Sequence, residues 1–461
     1  MSEKSIEFMK ASEKKAYDLN HRKTINFNIS RYDAAVPKGK MQYQNLELAK
    51  ERAAHLKYKV LNDIDKYLIE FEANFSARGG KVIWAQDEEE AVKEILQILQ
   101  KAEAKTLVKS KSMITEEIEL NHHLEQHNIE SLETDLGEYI VQLAGEKPYH
   151  IITPVMHKSK EDIAELFHEK FGLPPKSTPE EITAFVRRLL REKFTSADVG
   201  VTGANFIVAD IGGIALTENE GNGLMSVSFP KIHISIVGYE KIIPSMKDLD
   251  LFWPLLATHG TGQNMTVYNT ILTGPRQENE TDGPAEMYVV ILDNGRSEVL
   301  NQQEQRRALS CIRCGACLNG CPIYKNIGGH AYGTTYSGPI GSVITPYLRG
   351  LEEFKHLSFA SSLCGKCTEV CPVNINLHAL LLFNRRDSVQ QGFTKRMDRI
   401  SMFVWKQAML RRWLLEKASP GMKNFALKKF FSKLWGPRRE IPTINSKTFN
   451  RLWREQRGKG L

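Results

Sequence analysis

Residues 311–324 read CIRCGACLNGCPIY: Cys311, Cys314, Cys317 and Cys321 are separated by two, two and three residues, and Pro322 follows at once. This is the bacterial-ferredoxin run C-x2-C-x2-C-x3-C-P, in which three closely spaced thiolates wrap one iron-sulfur cube and the fourth reaches across to a second. A second group, SSLCGKCTEVCPV at 361–373, supplies Cys364, Cys367, Cys371 and Pro372. Aligned on their Cys-Pro ends, the groups set Cys371 opposite Cys321, Cys367 opposite Cys317 and Cys364 opposite Cys314, while Ser361 stands opposite Cys311. Ligand exchange then assigns Cys311, Cys314, Cys317 and Cys371 to one complete cluster, and leaves Cys321, Cys364 and Cys367 for a second with three thiolates. The expectation is two clusters, 2 x [4Fe-4S], the second either with a non-cysteine fourth ligand (Ser361 or a solvent species) or reduced to [3Fe-4S]. Zinc also suits thiolates, but its two-plus-two pairs do not explain a three-then-Cys-Pro pattern found twice.

The totals agree with this reading. At 461 residues, 41% apolar and 25% charged, the chain is long enough for two or three ordinary globular cores. All seven cysteines fall between 311 and 371. An odd number so concentrated, behind an N-terminus MSEKSIEFMKASEKK without a charged-then-apolar leader, argues against a secreted disulfide framework and for a reducing cytoplasm. No continuous apolar window reaches membrane-spanning length. The net charge of +7 is uneven: residues 391–461 hold 18 Lys or Arg against 4 Asp or Glu, so residues 1–390 are net acidic.

Four segments are expected. Residues 1–70 form an N-terminal helical segment, with apolar residues recurring at three and four from Asn45 to Phe71. Residues 71–299 alternate β-rich runs (KVIWA, TLVKS, YHIIT, NFIVADIGGIALT, IHISIVG, MYVVILD) with helical stretches such as DEEEAVKEILQILQKA and EEITAFVRRLLREKF, the mark of an α/β domain around a largely parallel sheet. Residues 300–390 form the mainly α, ferredoxin-like double-cluster domain, and 391–461 a short basic, helical C-terminal domain. A dinucleotide fingerprint is not met: GNGLMS at Gly221 and HGTGQN at His259 both break it. The redox partner is therefore expected to be another subunit or a small carrier.

The segments TLVKSKSMITEEIELNHHLE, LETDLGEYIVQLAGEKPYHIITP, GVTGANFIVADIGGIALTENEGNG, HGTGQNMTVYNTILTGPR and DNGRSEVL, followed by the two cysteine groups, resemble the iron-sulfur subunit of the bacterial L-lactate utilisation system across about 45–390. The resemblance implies a lactate-utilisation α/β domain similar to the sugar-phosphate isomerase and CoA-transferase group, with the double-cluster domain behind it. It implies a component of an L-lactate dehydrogenase complex, oxidising L-lactate to pyruvate, rather than a complete enzyme. Its implied partners are a cysteine-rich, heterodisulfide-reductase-like subunit and a second protein with the same α/β domain.

In the α/β segment Lys109, Lys111, Glu116, Glu117, Glu218, Glu220 and Arg276 are candidates to bind a carboxylate or to do acid-base work, since an α-hydroxy acid wants a cation at its carboxylate and a base near its hydroxyl. His122 and His123 are adjacent on a helix, about 100° apart, and so read as surface or packing residues rather than ligands of one ion. The tail sets Trp405, Trp413, Trp435 and Trp453 among Arg411, Arg412, Lys428, Lys429, Arg438, Arg439, Arg451 and Arg454. That surface is expected to dock a partner subunit, with an anionic membrane face or the respiratory chain second and nucleic acid third. A reading of another class has the chain as an organic-acid-binding regulatory module with structural clusters. Glycolate or glycerol 3-phosphate are alternative substrates, because nothing in the sequence reads the substrate's side group.

Overall fold

The computed structural model describes residues 2–411, 413, 419–435 and 440–457, and divides into two compact units, Met1–Ser388 and Val389–Leu461. In the first unit ten strands form: β1 (Lys81–Ala85), β2 (Thr106–Lys109), β3 (Glu130–Glu133), β4 (Val199–Thr202), β5 (Phe206–Val208), β6 (Gly213–Glu218), β7 (Ile232–Gly238), β8 (Ile242–Ile243), β9 (Tyr268–Leu272) and β10 (Glu286–Leu292). Six of them make one wholly parallel sheet in the order β1-β10-β7-β4-β2-β3.

The apolar runs of β7 and β10 are continuous because both sheet faces are covered. Tyr288, Val290 and Leu292 of β10 join Ile234 and Ile236 of β7 in one core layer. Against it lies the helix Glu88–Lys101, started by Asp87, whose side chain accepts the Glu90 amide, and burying Ala91, Val92, Ile95, Ile98 and Leu99 at helical spacing. Met287, Val289 and Ile291 face the opposite layer with Phe71 and Phe75 of the helix Ile64–Ala77. The helix Pro179–Ser196 carries Pro179 in its first turn and a reciprocal Thr178–Glu181 capping box.

Two expected strands are different. YHIIT is an irregular loop rather than a strand: His150 Nδ1 accepts the amides of Ile152 and Thr153, so these amides turn inward and no strand pairs with the segment. NFIVADIGGIALT is not one strand of the parallel sheet but an antiparallel pair, β5 and β6, in a second sheet ordered β8-β5-β6-β9. Gly212, with φ +56, makes the turn between them possible. The helix expected from Asn45 to Phe71 is two, Leu46–Asn62 and Ile64–Ala77, broken at Asp63, and two further helices, Glu3–Ala16 and Leu19–Lys40, precede it.

Residues 305–388 hold short helices and, among the described residues, no strand. One core joins this segment to the rest: Ile25, Ile29, Ala53, Phe206 and Phe252 pack in the same cluster as Cys314, Cys317, Cys367 and Cys371. The second unit carries the helices Arg396–Leu410, Pro420–Ala426 and Phe449–Arg457, with Phe403, Trp405 and Trp453 exposed. Arg412, Arg438 and Arg439 lie outside the described residues. No helix of the described residues is long and apolar enough to cross a membrane.

Candidate metal centre

The two cysteine groups fold alike. In the first, Arg313 adopts φ +59 and its amide donates to Cys311 Sγ at 3.4 Å; in the second, Leu363 adopts φ +54 and its amide donates to Ser361 Oγ at 3.2 Å. Gly315 and Gly365 follow, at φ +74 and +80, each starting a one-turn helix, Ala316–Asn319 and Lys366–Glu369, that carries the third residue of its set. Past the Cys-Pro ends, Tyr324 donates its amide to Cys321 Sγ at 3.5 Å and Ile375 donates to Cys371 Sγ at 3.4 Å.

All seven thiols are free. Cys311, Cys314, Cys317 and Cys371 line one small cavity, with Ile151, Ile312, Leu318, Ile340 and Val373 around them. Burial, then the charge of the neighbouring thiolates, pushes Cys314 and Cys317 well up, and burial holds Cys371 at about 11. Burial, then Cys364, raises Cys321, and burial, then Cys321 and Cys364, raises Cys367 to about 11, so the exposed Cys364 belongs to the same electrostatic set. Thiols held this way, unpaired and facing a common space, are the donor set an iron-sulfur cluster takes, because only bound metal cations make several buried thiolates tolerable together.

Cations stand beside the first set. Lys57, Lys241 and Arg313 each feel the charge of Cys311. Lys57 is 1% exposed and donates to the carbonyls of Glu240 at 2.5 Å and Ile242 at 3.2 Å, and its burial brings it down to about 8. Behind them Arg296, fully enclosed, makes a two-pronged pair with Glu117 at 2.8 and 2.9 Å and reaches Glu240 at 2.7 Å. Tyr336 donates to Glu117 at 2.5 Å and lies under the Arg313 guanidinium. Glu117 is thus committed to Arg296 and is not a substrate group. The sequence does not announce this network, because the bonds that tie Arg296, Lys57 and Tyr336 to Glu117 and Glu240 span 56 to 219 residues; the seven-residue spacing of Lys50 and Lys57, both buried on one helix, is the one local sign of buried cations.

A second polar group sits at the carboxyl ends of β2 and β3, where parallel sheets present their crevices, with Glu218 at the end of β6 of the second sheet beside it. The chain leaves β2 for β3 on one side and returns to β4 on the other, so β2 borders the reversal. Lys109, with no exposure, pairs with Glu133 at 2.6 Å and Glu116 at 3.4 Å. Glu138 is buried there with neither carboxyl oxygen hydrogen-bonded, and burial, then Glu133, holds its carboxyl far above the usual range. Lys111 donates to the Ile152 carbonyl at 2.9 Å and approaches Asp135 at 3.6 Å, with Glu220 also within electrostatic range. Glu218 accepts the amides of Gly223 at 2.7 Å and Leu224 at 2.9 Å. Arg276 is not brought in: it is exposed and its guanidinium donates to Thr281 in its own loop. His122 pairs with Gln126 on the helix Leu120–Gln126. The YHIIT loop connects the two regions, since Ile152 takes the Lys111 bond while Ile151 lines the thiol cavity.

An α/β domain with a parallel sheet, followed by a helical lobe of paired cysteine motifs, defines a class: iron-sulfur proteins in which a double-cluster, ferredoxin-like domain is built onto a LUD domain. The LUD domain family matches residues 68–292 and the 4Fe-4S dicluster domain family residues 307–375. Proteins named lactate utilization protein B from Bacillus thuringiensis (strain Al Hakam), Bacillus cereus (strain AH187) and Bacillus anthracis (strain A0248) are each 44% identical over 427 residues, covering 90% of both chains. The chain belongs to the lactate utilization protein B family. A solved DUF162-family protein from Deinococcus radiodurans covers 50% of this chain and 98% of its own at 15% identity and a TM-score of 0.29, too loose a likeness to bear on the fold.

Proposed function

We propose that this chain is the iron-sulfur electron-transfer subunit of a multi-protein system oxidising L-lactate to pyruvate. Cys311, Cys314, Cys317 and Cys371 would hold one cluster, and Cys321, Cys364 and Cys367 the other. When bound, such clusters supply one-electron carriers whose potentials follow net charge, hydrogen bonding and exposure. The observation that carries the reading is the convergence of four thiols from two distant motifs on one apolar cavity that Arg313 also lines, with Lys57 and Lys241 within electrostatic range of Cys311. The Arg313 guanidinium offsets thiolate charge, Arg313 and Leu363 supply amide donors at equivalent places, and Ile151, Ile340 and Val373 keep water from the first set.

The crevice at the end of β2 supports a narrower role than its residue types suggested. Two lysines face Glu116, Glu133, Asp135, Glu138, Glu218 and Glu220, and Lys109 is already paired. A second carboxylate is unwelcome in such a field. Lys111 remains the group able to meet an anion, so lactate chemistry falls to the partner subunits or to a site completed by them. The reading keeps the segments 1–70, 71–299, 300–390 and 391–461, the likeness to sugar-phosphate isomerases and CoA-transferases, a heterodisulfide-reductase-like subunit and a second LUD-domain protein as partners, and the basic tail as the docking surface.

The test is anaerobic purification with iron and sulfide counting, EPR during dithionite titration, and then reduction by L-lactate in the presence of the co-expressed partner proteins. About eight irons per chain, with signals that grow when lactate and partners are added, is the expected result. Iron that never becomes reducible, or zinc in its place, would sink the electron-transfer role.

A further inference from the structure

The second cysteine set has three thiols, and Ser361 holds in its motif the place that Cys311 holds in the first. Cys311 and Ser361 hold the same position relative to their motifs, three residues before Cys314 and Cys364. Each side-chain heteroatom accepts the amide two residues on, from a residue in the left-handed region: Arg313 to Cys311 Sγ at 3.4 Å, Leu363 to Ser361 Oγ at 3.2 Å. The left-handed glycine and one-turn helix that follow are also repeated, so the two loops turn their first side chain by the same backbone path. Cys311 lines the cavity shared by the first set. The Ser361 backbone is clamped in turn: Arg385 donates Nε to the Ser358 carbonyl at 2.9 Å and Nη2 to the Ser361 carbonyl at 3.2 Å, its guanidinium over Phe359.

We propose that Ser361 Oγ is the fourth protein ligand of the second cluster, completing the set Cys321, Cys364 and Cys367; this rests on the two-cluster reading above. On binding, the O–H bond of Ser361 breaks, an iron–oxygen bond forms and the proton leaves to solvent, so no electron changes hands. The Leu363 amide stabilises the resulting alkoxide as the Arg313 amide stabilises the Cys311 thiolate. A hard oxygen donor on a half-exposed loop, next to the exposed Cys364, makes this the more dissociable iron of the chain.

The experiment compares wild type with Ser361→Ala, Ser361→Cys and the neighbouring control Ser362→Ala, all full length and purified anaerobically. Iron and sulfide are counted, and Mössbauer and EPR spectra are taken as isolated and after reduction. Expected are about eight irons in wild type and in S362A, about seven in S361A with a three-iron EPR signal in the oxidised state, and about eight in S361C with an altered second-cluster spectrum. If S361A keeps wild-type iron and spectra, or if wild type itself carries about seven irons, Ser361 is not a ligand although the cluster reading stands. Should S361A not fold, S361C decides: an unchanged second-cluster spectrum overturns the proposal. Absence of iron from wild type overturns the two-cluster reading and this proposal together.

Discussion

At the scale of single residues, Arg296 shows how a buried charge is tolerated only through its partners. Its guanidinium makes four hydrogen bonds, to Glu117, Glu240 and the Asp293 carbonyl. Replacing it with methionine keeps the bulk and strands two enclosed carboxylates, so Arg296→Met should cost roughly 3–5 kcal/mol of stability, read as a lower urea midpoint with an unchanged slope. Arg296 looks like any charged loop residue in DNGRSEVL, and its partners come from separate stretches, so no local pattern announces the pair. The cysteines are the opposite case: their spacing is itself the chemistry, because a thiolate set must close within a few ångströms along one short loop. Lys109, Lys111, Glu116, Glu218 and Glu220 could be picked out as charged candidates beside Gly-rich turns, but the net charge around them could not, since Glu133, Asp135 and Glu138 join only in three dimensions.

At the scale of elements, the loop at 149–153 and the segment NIGGHAYG are built as one contact. Tyr324 donates to the Tyr149 carbonyl at 2.8 Å, and a methyl added at Gly329 would overlap that same oxygen. Gly329→Ala should therefore destabilise the protein by about 1–3 kcal/mol, seen as a lower Tm, whereas Gly333→Ala meets open space and is disfavoured only by its positive φ of +63. YHIIT reads as a strand because β-branched and aromatic residues fit a pleated surface, yet here His150 captures the amides a neighbouring strand would need. IHISIVG and MYVVILD were readable because both faces of their sheet are covered, which leaves long, mostly apolar runs, whereas KVIWA, on the sheet's edge with Trp84 exposed, was readable from its β-branched and aromatic residues. The short strands β4 and β8 carry too few residues to show any period.

At the scale of the whole first unit, a shared core makes the cysteine lobe and the α/β layers interdependent. Around Tyr149, where the lobe and the loop meet, burial brings His150 down to about 3 and His157 to about 4, and His21 to about 4. The ordinary value is 6.5. Below it the unfolded chain takes up protons that the folded one refuses, so stability is complete above pH 6.5 and falls as pH drops toward 4. Thermal melts from pH 7.5 downward should begin to fall near pH 6; a decline that starts only near 4.5, the ordinary glutamate value, would assign acid sensitivity to carboxylates instead.

The crossing of the cysteine sets also has a meaning in time. Cys371 shares its cavity with Cys311, Cys314 and Cys317, although the chain between Cys317 and Cys371 must first be made and brought back. A nascent chain that has emerged only as far as the first motif holds four thiols, three of them belonging to the first set, and no finished receptacle. On the proposed ligand assignment, cofactor delivery waits until the second motif has docked, and the donor meets a nearly finished protein with Cys364 as the exposed thiol.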